Sequence, residues 1–378
     1  MSTTPVIVFG EGSAAVFLIQ KLVQKGEQII WAAGSGARLL PVMPSVNSEL
    51  ALATLLDAQK GLTDEVYANP IEMGIFHRVF RNKAFKLPSW KRTSDVVAQK
   101  QAFAELVWDP EQAYLGVQEH RIAGVSPADI ETRLRELLKN HPQITPVSAA
   151  PIVELEILEK GGKIQFANGF ITEFKQFYFC DSLNELKAIP KLLTVLKHQM
   201  GNVKSSKMMS ALQVVFTHRE PLNQAIETGL VIPLNRDAGD AFDRDALGYF
   251  LEPLKSVWTV FLRPEEIEEN HEIMKKLRKM KQALNRAFDG PDFLPAGTKE
   301  FTDTVQSEQV HFEEAFIAVE GSFKESKANR DFVLLTDAFG LTAALEQIAV
   351  QFELEAVGYG QAEALPHDQA AVAPSVSL

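Results

Sequence analysis

The sequence predicts an α/β fold of two domains: a nucleotide-binding domain, and a second α+β domain that contains an antiparallel sheet and covers the substrate. Three observations predict it. The apolar run Val6-Ile7-Val8-Phe9 leads through Gly10-Glu11-Gly12 into a helical pattern, and a second apolar run at 29–33 completes a strand–turn–helix–strand unit. Glycines at Gly161-Gly162 and Asn168-Gly169 separate three strand-like runs, and Asn-Gly between strands marks a hairpin. Beyond residue 205 further strands appear, followed by a long charged helix. A chain of 378 residues also suits two interleaved domains better than one small core.

Each element follows from its residues. The run 6–9 is short, β-branched and apolar throughout, as a strand covered on both faces must be. From 13 to 24, Ala15, Leu18, Ile19 and Leu22 fall on one helical face, and Gly26 stops the helix just past its last turn. Residues 48–59 read as a helix ended by Gly61. The stretch 71–90 is mixed and aromatic, with His77, Arg78, Arg81, Lys83 and Lys86. Ser126-Pro127-Ala128-Asp129 opens a helix toward residue 140, with a capping serine and a proline at the first helical position. Three successive strands are expected at 146–158, 163–167 and 170–180, and strands of another sheet at 211–216, 229–234 and 257–262. Arg263-Pro264-Glu265-Glu266 starts a helix toward 288; a final strand at 332–336 and a final helix at 340–351 follow. The expected division is 1–75, 140–204 and 326–359 for the nucleotide-binding domain, and 76–139 and 205–325 for the second. Residues 360–378, rich in Ala, Pro and Ser, are expected to be disordered. No internal repeat is present.

Composition excludes several classes. With 46% apolar and 23% charged residues, the bulk of the chain is neither disordered nor fibrous. The formal charge of −11 repels nucleic acid in the absence of a local basic patch. One cysteine, Cys180, leaves no intrachain disulfide and no cysteine-based metal site, and suits a reducing, cytoplasmic setting. No membrane span is expected, because no run of about 18 apolar residues occurs, and no signal peptide, because residues 1–5 lack positive charge.

The chemistry begins at Gly10-x-Gly12-x-x-Ala15. Gly10 permits the tight turn, Gly12 lets backbone approach a pyrophosphate, and small Ala15 lets helix and strand pack closely. The helix N-terminus then offers free N–H groups and partial positive charge to a phosphate. Strand, turn, helix and second strand at this spacing read as a Rossmann-like FAD/NAD(P)-binding unit; the plainer alternative is a glycine-rich turn without a ligand. The second strand ends in Ala32-Ala33-Gly34-Ser35, where an acid ordinarily holds the ribose hydroxyls. Either Ser35 and Arg38 receive a 2′-phosphate, which makes NADP the alternative cofactor, or ribose recognition is lost and Arg38 is a solvated surface residue.

These residues resemble the flavin-dependent amine oxidase and phytoene desaturase superfamily. The matching stretches are Val6-Ile7-Val8-Phe9-Gly10-Glu11-Gly12-Ser13-Ala14-Ala15 with Leu22-x-x-x-Gly26, the region 144–181, and Leu334-Leu335-Thr336-Asp337-x-x-Gly340-Leu341-Thr342-Ala343-Ala344. The resemblance covers about a third of the chain. It implies FAD held by Gly10, Gly12, Ser13, Ala14 and Ala15, with Arg38 and the strand at Ile152 beside it. It also implies Asp337 near the ribityl-phosphate, and the helix start at Thr342 facing the isoalloxazine. Three departures stand out: Ala33 in place of the ribose acid, Arg38-Leu39-Leu40-Pro41 in place of Arg-x-Gly-Gly, and Thr336-Asp337 in place of Gly-Asp.

The implied activity is flavin-dependent oxidation, a hydride passing from an amine or an unsaturated apolar substrate to FAD. No catalytic side chain is singled out. Two alternatives stay open: a non-catalytic relative that binds a protein partner or an apolar ligand, and an NADP-dependent reductase. Other candidates have plainer explanations. Asp237, Asp240, Asp243 and Asp245 lack the glycine and terminal glutamate of a calcium loop and read as a solvated loop. The scattered histidines form no zinc pair, so no metal is expected. Cys180, at the end of an apolar strand, reads as a buried structural thiol.

Overall fold

The computed structural model describes residues 4–33, 46, 48–62, 69–74, 79–81, 84–86, 120–148, 151–199, 208–220, 231–235, 244–252, 254–288, 301–318, 331–336 and 340–356. Ser35, Arg38, Asp337, the aspartates at 237, 240 and 243, and the tail 360–378 lie outside these residues.

A parallel sheet carries the first domain. With elements numbered along the chain, its order is β17 (Phe332–Leu334), β11 (Gln176–Phe179), β1 (Val6–Phe9), β2 (Ile29–Ala32) and β7 (Ile144–Val147). The first strand is central, and its side chains alternate between two cores. Val6 and Val8 pack with α1 (Ser13–Gln24), α2 (Glu49–Gln59), α3 (Ala128–Leu138) and α9 (Leu341–Gln351). Ile7 and Phe9 pack on the other face with Phe177 and Phe179, the short helices α4 (Leu183–Lys187) and α5 (Pro190–Leu196), and a three-stranded antiparallel sheet. Burial on both faces is why the sequence of this strand does not alternate. That smaller sheet is β8 (Ile152–Ile157), β9 (Gly162–Phe166) and β10 (Ile171–Phe174), joined at Gly161 and at Asn168-Gly169, both glycines with positive φ. The edge of β17 is closed by a side chain: Gln199 donates to the Phe332 carbonyl and accepts from the Leu334 N–H. Burial of this amide replaces the missing neighbouring strand.

Two expected strands are each divided between sheets. The run 146–158 becomes β7 in the parallel sheet and β8 in the antiparallel one; 170–180 becomes β10 and β11, with the Lys175 N–H bonded to the Pro5 carbonyl between them. Continuous apolar runs do not mark where a chain changes sheets. The helix expected over 263–288 is likewise α6 (Pro264–Ile267) and α7 (Asn270–Phe288).

The second domain is built on a seven-stranded sheet. Its order is β16 (Val305–Ala318), β12 (Met208–His218), β15 (Lys255–Leu262), β14 (Arg244–Glu252), β13 (Val231–Asn235), β3 (Asn69–Gly74) and β6 (His120–Ser126). A two-stranded ribbon, β4 (Val79–Arg81) with β5 (Ala84–Lys86), and the one-turn helix α8 (Phe301–Thr304) complete the described elements. The expected domain boundaries differ here at two points. Residues 69–74 pair into this sheet rather than the first, and 128–138 belong to the first domain because Ile130, Leu134 and Leu138 fill the core beneath α1. An amphipathic helix is sorted by what its stripe meets, which its own sequence does not specify.

One face of the large sheet holds a buried polar chain. Trp258 Nε1 donates to Ser256 Oγ at 3.0 Å, Ser256 Oγ lies 2.8 Å from His218 Nε2, and His218 Nδ1 lies 3.1 Å from Thr304 Oγ1. The Thr304 hydroxyl is committed as a donor to the Phe301 carbonyl at 2.8 Å. It therefore accepts from Nδ1–H, and Nε2 accepts from the Ser256 hydroxyl, so the imidazole is neutral. Burial pushes its pKa down to about 4. A histidine with a depressed folded pKa contributes its full stability above about pH 6.5 and loses it as pH falls toward 4. The loss across that window is expected to be roughly 2–3 kcal/mol. Urea unfolding of the parent and of His218→Gln, compared between pH 7 and pH 4, isolates it: the parent's steeper fall is expected, and parallel curves refute the assignment.

Candidate nucleotide site

The parallel strands end together on one side. The Gly10 N–H donates to the Ala32 carbonyl at 2.9 Å, Cys180 N–H to Phe9 at 2.7 Å, and Leu335 N–H to Phe179 at 2.8 Å. From the central strand the chain order runs outward both ways, so this rim is the point at which an open α/β sheet opens a crevice for a ligand. The glycine turn sits there.

The two glycines of the turn have different tasks. Gly10 has φ +121°, and a Cβ on it would lie 2.6 Å from the Cys180 carbonyl carbon and oxygen and 2.8 Å from the Asp181 nitrogen. Backbone leaves no room for any other residue. Gly12, by contrast, has φ −64° and ψ 173°, an ordinary extended conformation, at the N-cap of α1. Its backbone does not require glycine. Ser13, Ala14 and Ala15 are buried at the first turn of the helix, which has no side-chain cap and no acidic residue. The opposite holds at α3, where Asp129 and Glu131 occupy the first turn. The α1 terminus thus has neither a side-chain cap nor a first-turn acid to offset its positive end.

A second helix starts on the same side. The N-cap of α9 is Gly340, with φ +92°, again without a side-chain cap or a first-turn acid; Thr342 is its second residue and half-buried. Beyond β17, the Thr336 hydroxyl donates to the Asp181 carbonyl at 2.6 Å and ties that strand end to the end of β11. Ile152 lies at the start of β8, half-buried, and packs against the core beneath the sheet rather than within the glycine turn. Among the described residues, no group of three His, Cys, Asp or Glu side chains is placed to hold a metal, and no helix is long and apolar enough to cross a membrane. Cys180 is buried.

Two side chains absent from the sequence-based site grip the turn. Trp31 Nε1 donates to the Gly10 carbonyl at 2.8 Å, and Arg135 Nη2 donates to the Glu11 carbonyl at 2.7 Å. Neither carried a signal: Trp31 reads as one more apolar residue of β2, and Arg135 as a surface charge of α3.

No protein-family model matches the chain, and no curated protein matches it in sequence. Solved structures do resemble it. An aklavinone-11 hydroxylase, determined in a ternary complex with FAD and aklavinone, superposes with a TM-score of 0.55 at 15% identity over 94% of this chain; the match takes in 62% of the hydroxylase. A geranylgeranyl bacteriochlorophyll reductase-like protein from Thermoplasma acidophilum gives 0.52 at 13% identity, over 93% of this chain and 80% of that one. The tetracycline destructase Tet(55) gives 0.51 at 12% identity, over 95% and 83%. At such identities the likeness shows the fold: a Rossmann-type α/β domain with a second, antiparallel-sheet domain. None of the three is an amine oxidase or a phytoene desaturase.

The geometry separates two substitutions. Gly10→Ala combines a positive φ with a backbone clash and is expected to cost roughly 3 kcal/mol or more. Gly12→Val keeps an ordinary backbone conformation but adds a branched side chain at a buried N-cap; without the positive φ it is expected to cost less than Gly10→Ala. Denaturant midpoints of the two variants check this ordering; equal midpoints would show that the turn relaxes around Gly10.

Proposed function

We propose that the chain is a flavin-dependent oxidoreductase that holds FAD at the glycine turn and admits a small apolar substrate beneath the large sheet of its second domain. The single observation that carries this reading is the turn itself, at the switch point of the parallel sheet. Its donor set is made of backbone N–H groups at a helix start that has no side-chain cap and no acid in its own first turn. Such a set fits the pyrophosphate of a dinucleotide. The likeness to the FAD-bound hydroxylase supports FAD over other dinucleotides.

When bound, the flavin supplies two-electron chemistry; the protein supplies position and shelter. Gly12 would lie against the phosphates of a bound cofactor, and the starts of α1 and α9 would offset their negative charge. The rim of the parallel sheet would hold it.

Two reaction types fit. The amine oxidase resemblance supports hydride removal from an amine or unsaturated apolar substrate. The hydroxylase likeness favours a second reading, oxygen insertion into a small cyclic substrate. They differ in the source of electrons: an oxidase substrate reduces the flavin by itself, whereas a hydroxylase requires a nicotinamide reductant.

The purified protein is expected to release flavin on denaturation or to take it up when titrated, read by quenching of flavin fluorescence. Gly12→Val should weaken that binding at least about tenfold, since the new side chain and the pyrophosphate compete for one volume. A parent protein that neither contains nor binds flavin rejects the reading. In that event NADPH binding would favour the reductase, and binding of neither cofactor the non-catalytic relative.

A further inference from the structure

The turn presents its N–H groups only if its peptide planes are fixed, and the structure shows what fixes them. The Gly10–Glu11 and Glu11–Gly12 peptides each have a carbonyl held from outside, the first by Trp31 and the second by Arg135. In a trans peptide the N–H points opposite the C=O. The Glu11 and Gly12 N–H groups are therefore directed away from the indole and the guanidinium.

The grip of Arg135 is itself oriented. Its Nε and Nη2 both donate to Glu131 Oε1, at 2.9 and 2.7 Å, one helical turn earlier on α3. The same Nη2 reaches Glu11, so a single nitrogen joins the carboxylate to the turn. Glu131 is mostly buried. The carboxylate thus gives the guanidinium a fixed anchor on α3, and the planar fork of arginine carries that fix to the Glu11 carbonyl.

We infer that Arg135, held by Glu131, is a positioning residue for dinucleotide binding: it sets the Glu11–Gly12 peptide so that the Gly12 N–H meets the pyrophosphate. The inference rests on the flavin reading above and adds to it a residue that lies outside the glycine motif. It requires no contact between Arg135 and the cofactor. Its charge is balanced by Glu131, so orientation rather than attraction carries the effect. Lysine keeps the charge but lacks the fork, and cannot bind Glu131 through two adjacent nitrogens while reaching Glu11.

The test measures dissociation constants of FAD and of ADP for the parent, Arg135→Ala, Arg135→Lys and Glu131→Gln, with thermal unfolding of each protein free of nucleotide. Both Arg135 variants are expected to weaken FAD and ADP about tenfold, the worth of one charge-assisted hydrogen bond, and Glu131→Gln to weaken them severalfold. Unfolding temperatures without nucleotide should stay near the parent's, because Arg135 is partly exposed. Parent-like affinity in Arg135→Ala overturns the inference, and so does full rescue by lysine, which would assign the effect to charge. Should Arg135→Ala not fold, the lysine and Glu131→Gln variants decide by the same criteria. A parent that binds neither FAD nor ADP removes the flavin reading, and this inference with it. A parent that binds both while the variants bind equally well removes this inference alone.

Discussion

The nucleotide end of the molecule depends on one close approach of backbone to backbone. β1 and β11 finish side by side, tied by the Cys180 N–H to the Phe9 carbonyl, and the chain leaves β1 directly over the Cys180–Asp181 peptide. Only glycine passes there, because a Cβ would sit within 2.6 Å of carbonyl atoms. From that turn the remaining features follow. α1 starts at Ser13, its apolar stripe meets α3 and α9, and its uncapped end is left at the rim. The Gly10 requirement is thus steric and internal to the fold, whereas nothing in the backbone of Gly12 demands glycine. A motif usually read as one signature divides here into Gly10, which positive φ and neighbouring backbone restrict to glycine, and Gly12, a buried residue whose backbone conformation does not.

The legible part of the fold was the part whose pattern is local. β1, α1 and β2 lie within 33 residues, and their periodicities, with Gly26 as stop, specify them without reference to the rest of the chain. The same holds for the hairpins at Gly161 and Gly169, both with positive φ. β16 escaped notice for a physical reason. It is an edge strand, exposed from Gln306 to Val310 with Phe312 beyond, so no buried face imposes alternation on it. β14 escaped because Gly248 interrupts it. That glycine is required by Trp258 of the neighbouring strand, whose ring lies where a Cβ would be, 2.2 Å away. A glycine demanded by a cross-strand partner looks, in sequence, like a turn.

The candidate site was legible to the same extent. Glycines and small residues announce backbone chemistry, since they are the residues that backbone approach selects. The side chains that hold that backbone in place do not announce themselves. Trp31 lies 21 residues from the carbonyl it binds and Arg135 lies 124 residues from its own. Neither residue type is diagnostic where it stands. The role of Trp31 exists only after β1 and β2 have paired, and that of Arg135 only after α3 has packed onto α1, the step at which sequence placed α3 in the other domain.

The missing ribose acid bears on how a cofactor would be held. Ala33 keeps the strand end intact, its N–H donating to the Val147 carbonyl at 3.0 Å, so the backbone there is undisturbed and only the carboxylate is gone. A carboxylate binding ribose hydroxyls contributes about 1.5–3 kcal/mol, or roughly 10- to 100-fold in affinity. That loss falls on the adenosine half. The donors that face phosphate are backbone and helix ends, and they do not depend on residue 33. Binding free energy for a dinucleotide would therefore be weighted toward the pyrophosphate, and the orientation of the turn would matter more than in a site where the ribose is also clamped. The same residue, Ala33, carries no negative charge that would repel a 2′-phosphate, so at this position the strand end would not itself discriminate against a phosphorylated adenosine.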